Sequence, residues 1–243
     1  SGDTVYSFRD QIDLMEVDWS DSLSRDFTTQ EDVKAVYFMD TIDFARGTLV
    51  LGARYEKTDF ESTAYDQDGN PTFAEKSYGF FAPSANLKLY LNDNLALRGA
   101  VWRSMSRPGF KETAPKLELE VKGEDISGKY GNPDLEPYES TNMDLALEYY
   151  GDGMTFASVG VFRKDIDNAI YPTIQKTATI NNITFNDGVE TWINAESSTI
   201  NGLEINLQFG LENGLFAALN GTLTDGESTF AFDSDDTFTT PFR

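Results

Sequence analysis

This 243-residue sequence reads as all-β, an antiparallel meander of long strands. Three features point there. Apolar residues recur at every second position along most of the chain, the period of a strand, and not at every third or fourth, the period of a helix. Tight connections and long ones alternate, strand by strand. The segments between them run roughly 10–16 residues, against ~5–6 for an ordinary soluble strand.

Eight strands are expected, at 31–43, 47–58, 76–91, 94–105, 140–150, 154–170, 191–210 and 214–225, with residues 1–30 acidic and irregular. In 47–58, Leu49, Leu51, Ala53 and Tyr55 oppose Thr48, Val50, Gly52, Arg54 and Glu56. In 76–91, Leu87, Leu89 and Leu91 oppose Asn86, Lys88 and Tyr90. In 94–105, Leu95, Leu97, Gly99 and Val101 oppose Ala96, Arg98, Ala100 and Trp102. In 140–150, Thr141, Met143, Leu145, Leu147 and Tyr149 oppose Asn142, Asp144, Ala146, Glu148 and Tyr150. In 191–210, Leu203, Ile205, Leu207 and Phe209 oppose Glu204, Asn206 and Gln208. The strands at 33–41 and 154–166 have a less distinct facing; Arg163 and Lys164 fall on opposite sides.

The connections Phe44–Gly47, Asn92–Asn94, Gly151–Gly153 and Glu212–Gly214 carry the Gly, Asn and Asp of tight hairpins. Those at 58–75, 105–139, 171–190 and from 225 onward are long. Tight turns at one end and long loops at the other belong to transmembrane β-barrels, whose outer face is apolar because it meets lipid and whose inner face is polar because it lines a wet lumen. The strands then form part of such a barrel, with short periplasmic turns, long extracellular loops and outer-membrane lipid as a partner. Tyr149, Phe209 and Tyr55 fit its aromatic girdles. A soluble β-sandwich also alternates, but with shorter strands.

Composition excludes much else. Lys and Arg number 19 against 41 Asp and Glu, a net charge of −22, which argues against nucleic acid as a partner. There is no Cys and no His, so no disulfide framework, no Ser-His-Asp or Cys-His catalysis and none of the usual zinc sites. No carboxylate pair stands out as a glycosidase acid and base, so no catalytic residue, metal site or cofactor is expected. Asp66, Asp68 and Asn70 are spaced like a calcium loop, but the glycine comes one position early, Pro71 takes the sixth place and Ser77 the twelfth. A turn is the better reading. The acidic run 233–236 reads as a solvated loop, and the sequons at 182–184 and 220–222 as chance matches.

Several motifs occur in a distinctive order. Arg107-Pro108 follows one strand. Gly131-Asn132-Pro133-x-Leu135-x-Pro137 precedes the next. Phe162-x-Lys164-x-Ile166-x-Asn168 and Asn201-Gly202-x-Glu204 come after. In this order they resemble the C-terminal part of TonB-dependent outer-membrane receptors, over most of 33–225, and most look like the proteobacterial branch associated with carbohydrate uptake. The resemblance implies a bacterial outer-membrane location and a barrel of about 22 strands, of which this chain supplies about eight or nine. It also implies a plug inside the barrel and energy from the TonB complex. Residues 1–243 show no recognisable plug and no aromatic-terminated last strand, so a partial barrel is expected, the TonB contact lying in a segment outside it. Gly131, Asn132, Pro133 and Pro137 are read as architectural, the prolines fixing φ and withholding donors where the strand begins.

The expected function is active transport of a bulky nutrient, carbohydrate first, with an iron chelate (siderophore) or vitamin receptor as the alternative and a passive porin or soluble binding module beyond that. Small-molecule or oligosaccharide contacts are expected at Trp102, Tyr65, Phe110, Tyr130 and Trp192. The lumen-facing Arg98, Asp144, Glu148 and Glu204 are expected to meet the plug. For Trp102 the competing role is packing against the plug or a loop.

Overall fold

The computed structural model describes residues 26–66, 68–153, 155–210, 214–231 and 237–241. Most of the expected irregular segment 1–30, and the acidic run 233–236, lie outside the described residues. In chain order the elements are β1 (Phe27–Phe44), β2 (Gly47–Tyr65), β3 (Pro71–Tyr90), β4 (Leu95–Ser106), the single helical turn α1 (Phe110–Thr113), β5 (Leu117–Lys122) and β6 (Asp125–Tyr130). Then come β7 (Tyr138–Tyr150), β8 (Phe156–Asp167), β9 (Ile170–Gln175), β10 (Ala178–Ile180), β11 (Ile183–Phe185), β12 (Val189–Asn194), β13 (Ser197–Gly210), β14 (Phe216–Ala231) and β15 (Thr237–Pro241).

Nine strands form one antiparallel wall in the order β1-β2-β3-β4-β7-β8-β13-β14-β15. Its facing follows the alternation. On β7, Met143, Leu145, Leu147 and Tyr149 are exposed, Leu145 at 51%, while Asn142 on the other side is 4% exposed. Registered pairing joins the apolar positions into belts. Leu49, Leu87, Gly99, Leu145, Val161, Leu203 and Leu223 form one continuous row across seven strands. Six residues separate Met143 from Tyr149, or ~20 Å of strand, close to the ~25 Å apolar band of an outer-membrane barrel. Such a wall is inverted relative to a soluble sheet: the oily side faces outward.

The short turns at 44–47, 92–94 and 151–153 fall where expected, and the one expected at 212–214 lies mostly outside the described residues. Three of the four long connections, 58–75, 105–139 and 171–190, do not remain loops, and the fourth, from 225 onward, lies partly outside the described residues. The segment 58–75 is a hairpin: β2 and β3 stay paired up to Tyr65 and Pro71, around a turn at 66–70. The sequence signal fades there because the outward residues stop being apolar, although backbone pairing continues. At the tip, the Asp66 carboxylate accepts hydrogen bonds from the Asn70 amide at 2.7 Å, the Asp68 amide at 3.0 Å and Asn70 Nδ2 at 3.1 Å. This is the turn reading of DQDGNP, with the carboxylate satisfied by its own loop.

The other two long connections build a joint canopy, a four-stranded sheet in the order β5-β6-β12-β9. The expected strand 191–210 is therefore two strands. β12 belongs to the canopy and β13 to the wall, with a corner at 195–196. Likewise 154–170 ends at Asp167, and Asn168 turns the chain with a φ of 59° into β9. The canopy has an ordinary small core of Leu117, Phe185 and Val189, flanked by Leu119, Ile126, Ile180 and Ile183. A second cluster, Ile166, Ala169 and Ala195, seats it on the wall.

Candidate functional site

Two concave regions hold most of the expected site residues. The first lies on the inner face of the wall and has a volume of about 590 Å³. Lys88, Arg98, Trp102, Asp144, Lys164 and Glu204 line it. Alternation puts them there: each sits one residue from an outward side chain, apolar in every case but that of Lys164, which lies between Arg163 and Asp165. Arg98 bonds Glu148 on the adjacent strand at 2.7 Å, and the Tyr150 hydroxyl donates to Glu148 at 2.6 Å. Lys88 stands over the rings of Tyr90 and Tyr150, 4.9 Å from each centroid. Arg98 and Glu148 are thus paired within the wall. Trp102 is half-buried on this same face, its carbonyl accepting from Asn142 Nδ2 at 3.4 Å.

The second region is a pocket of about 170 Å³ between the canopy and the top of β1. Phe27, Tyr130 and Trp192 supply rings, Lys111, Lys116 and Lys129 supply ammonium groups, and Glu118 is the lining carboxylate. Tyr130 and Trp192, 62 positions apart in sequence, meet here because β6 and β12 pair in parallel, Val189 with Gly128 and Glu190 with Lys129. Lys129 bonds Glu190 at 2.6 Å, which raises its pKa, and burial raises that of the Tyr130 phenol. Tyr65, at the hairpin tip, and Phe110, half exposed at the start of α1, line neither region. The lysines and Phe27 escaped sequence reading. A usable signal was there: residues 105–139 carry five of the chain's 19 basic residues.

The sequence motifs hold these regions in place. Arg107 reaches back to Glu56 at 2.6 Å and to the Thr58 hydroxyl at 3.1 Å, closing the gap where β3 and β4 diverge above Ser84 and Trp102. Pro83, with no amide to donate, stands at that divergence. A Cβ on Gly131 would collide with the Ala114 carbonyl, so only glycine fits. Asn132 Nδ2 donates to the Trp192 carbonyl at 2.9 Å, and its Oδ1 accepts from the Asp134 amide at 3.0 Å. Lys76 Nζ donates to the Asp134 and Leu135 carbonyls at 3.0 and 2.9 Å. The Gly-Asn-Pro motif thus ties hairpin β2–β3, the connection 105–139 and β12 together. Phe162 lies over Gly202, where any Cβ would strike its ring, which links the two later motifs across β8 and β13.

The TonB-dependent receptor-like β-barrel model matches residues 2–242. The chain belongs to that family. Curated relatives include the ferric enterobactin receptor PirA of Pseudomonas aeruginosa, 26% identical over 212 residues, or 82% of this chain and 25% of that protein. Another is a probable TonB-dependent siderophore receptor PirA of Acinetobacter baumannii, 27% identical over 73% of this chain and 24% of that protein. The chain spans about a quarter of the length of these relatives. Among solved structures, the P. aeruginosa siderophore receptor PirA superposes with a TM-score of 0.51 at 18% identity, covering 84% of this chain and 45% of that one. A Serratia marcescens hemophore receptor, HasR, gives 0.56 at 16%, covering 88% and 34%. These structures establish the shared fold. The family is one of receptors and transporters, not enzymes.

Proposed function

We propose that the chain is the wall and canopy of an outer-membrane receptor that imports a ferric siderophore, driven by the TonB complex. The observation that supports it is the union of an inverted wall, oily outside and polar within, with a loop canopy bearing a basic aromatic pocket. The relatives bear on the substrate class. They are ferric enterobactin and siderophore receptors, which favours an iron chelate over the carbohydrate that the motifs first suggest. The basic pocket also answers an objection from net charge: a chain of −22 repels anions as a whole, yet it places three lysines together where the loops meet.

In this reading the outer belts contact lipid and the canopy receives the chelate. The lumen face around Asp144 and Glu204 contacts the plug. Trp102 offers an indole face along the route. Radiolabelled iron supplied as ferric enterobactin should enter cells carrying the full-length receptor, and deleting TonB should abolish entry while leaving surface binding. Entry that persists without TonB at low ligand concentration would make this a passive pore. Uptake of a maltooligosaccharide instead would restore the carbohydrate reading. Trp102→Ala should weaken chelate binding by about 1–3 kcal/mol, the scale of a strong anchor, with barrel assembly unchanged. Normal binding would leave Trp102 as packing.

A further inference from the structure

We infer that the free edge of β3, from Phe73 to Phe81, is a strand-addition site that takes an extended segment of a protein partner at the cell surface. Register argues first. β3 pairs with β2 along its whole length, but with β4 only from Ser84 to Tyr90. Even-numbered residues carry the bonds within the hairpin: the Tyr90 amide donates to the Arg46 carbonyl, and the Asp66 amide to the Asn70 carbonyl at the tip. The Leu91 amide, at an odd position, donates to Leu95 on the β4 side. Backbone groups at odd positions of β3 therefore point away from β2. Above Pro83 this leaves Phe73, Glu75, Ser77, Gly79 and Phe81 with amides and carbonyls that meet no hydrogen-bond partner among the described residues.

Depth argues second. A bare amide is too costly in hydrocarbon, so the ladder between β3 and β4 must last as long as the lipid does. Ser84 to Tyr90 spans ~20 Å at ~3.3 Å per residue, the height of the apolar belt. The open edge thus begins where water begins. The connection 105–139 covers only the inner face of the hairpin: Thr72 donates to the Pro115 carbonyl, Lys76 to the Asp134 and Leu135 carbonyls, and Arg107 to Glu56 and Thr58. None of these bonds uses the edge. The odd side chains point outward, with Phe73 and Phe81 exposed.

The occupant follows from what the edge offers. Donors and acceptors that alternate along a line are answered by another strand. A symmetric second copy in the same membrane does not fit. A twofold axis along the membrane normal would bring β3 beside β3 at equal height, amide facing amide. The side chains specify the added strand further. Glu75 stands directly opposite Glu61 on β2, and like charges in that position destabilise a sheet. Neither makes an ion pair among the described residues. A basic residue facing Glu75 relieves the repulsion, and apolar residues facing Phe73 and Phe81 cover their rings. The partner segment is therefore extended, apolar at both ends and basic two positions before its second apolar residue.

The test uses the full-length receptor in liposomes and a capped, threonine-rich peptide of nine residues, with valine first and last and lysine seventh. Aligned antiparallel, its odd residues face those of β3. In the free receptor the Glu75, Ser77 and Gly79 amides should exchange hydrogen rapidly, and the peptide should protect them. N-methylation of the third, fifth and seventh peptide residues should abolish binding, while N-methylation of the fourth and sixth should spare it. Ser77→Pro deletes the central donor but no bond within the hairpin, and should weaken binding about tenfold. Ser77→Ala keeps the amide and should bind as the parent does. Glu75→Gln should weaken binding about threefold. Slow exchange in the free receptor would mean that the receptor's own segments fill the edge, and would overturn the inference. So would absence of peptide binding, or two methylated peptides that bind alike.

Discussion

The wall and the canopy are built from the same chain by opposite rules. In the wall, Leu145 and Val161 are about half exposed while Asn142 is nearly sealed. In the canopy, Phe185 and Val189 are fully buried and the charged side chains of Lys122 and Lys129 reach water. The wall's apolar groups await a hydrocarbon solvent; the canopy's hide from water. The inner face of the wall records the change. It is polar at Arg98, Asp144 and Glu204, then turns apolar further from the short turns, at Phe60, Phe80 and Ile166. There it stops lining the lumen and starts carrying the canopy. A single strand can therefore serve two solvents in sequence, and the burial pattern marks where one gives way to the other.

The largest expected effect strikes the canopy alone. Phe185→Ala removes a fully buried ring from a core of three buried residues, and such truncations cost about 3–5 kcal/mol. The canopy should become sensitive to protease at 105–139 and 171–190, while the wall keeps the heat-modifiable gel mobility of a folded barrel. Loss of that mobility would mean that the two regions fold as one unit.

The converse change belongs to the wall. Leu145→Arg places a charge in the middle of the outer belt, which costs about 2–4 kcal/mol at the bilayer midplane. Folding yield into lipid vesicles should fall, whereas Asp144→Asn on the inner face should fold as the parent does. If Leu145→Arg inserts normally, that face does not meet lipid.

Legibility followed the same division. The wall could be read because its alternation has a strict period of two, reinforced by turn residues at one end. Where the outer belt ends, at Lys57 and Asp59 on β2, the contrast between faces disappears, so the rest of the β2–β3 hairpin looked like a loop. The canopy was illegible for a different reason. Its strands β9 to β12 run three to six residues, too short for a period, and β6 meets β12 across 61 positions, Gly128 to Val189, in a parallel contact that no local pattern announces. Tyr130 and Trp192 could be nominated one by one as loop aromatics; their meeting could not. The motifs stood between these extremes. Gly131 and Asn132 were readable as architectural, but their partner, the Trp192 backbone, was not.

Asn132 tests how tightly the two regions are tied. Its side chain bonds the Trp192 carbonyl and the Asp134 amide, so Asn132→Ala leaves both without that partner at a cost of about 1–3 kcal/mol. Protease cleavage should then appear in 105–139 under conditions that spare the parent, with wall assembly intact. Asn132→Asp keeps the acceptor for Asp134 but loses the donor, and should fall between the two. An alanine variant as resistant as the parent would place the tie elsewhere, at Asn194 or Arg107.

The smallest effect belongs to the hairpin tip, which lies beyond both the lipid belt and the canopy. Hydrogen bonds from the Asn70 side chain and backbone hold the Asp66 carboxyl below its ordinary value. A depressed folded pKa means that ionised Asp66 stabilises the turn above the unfolded value of ~3.9, and that this is lost as the pH falls through the lower folded value. At neutral pH the Asn70 amide should be protected from hydrogen exchange, and protection should fade only in strong acid. Asp66→Ala should remove the protection at every pH and abolish its pH dependence. Neither change should reach the wall, since Tyr65 and Pro71 close the ladder beneath the turn. If the alanine variant loosened the wall strands as well, the tip would be a clamp on the whole hairpin. If it left Asn70 equally protected, the amide would be held by the ladder and not by the carboxylate.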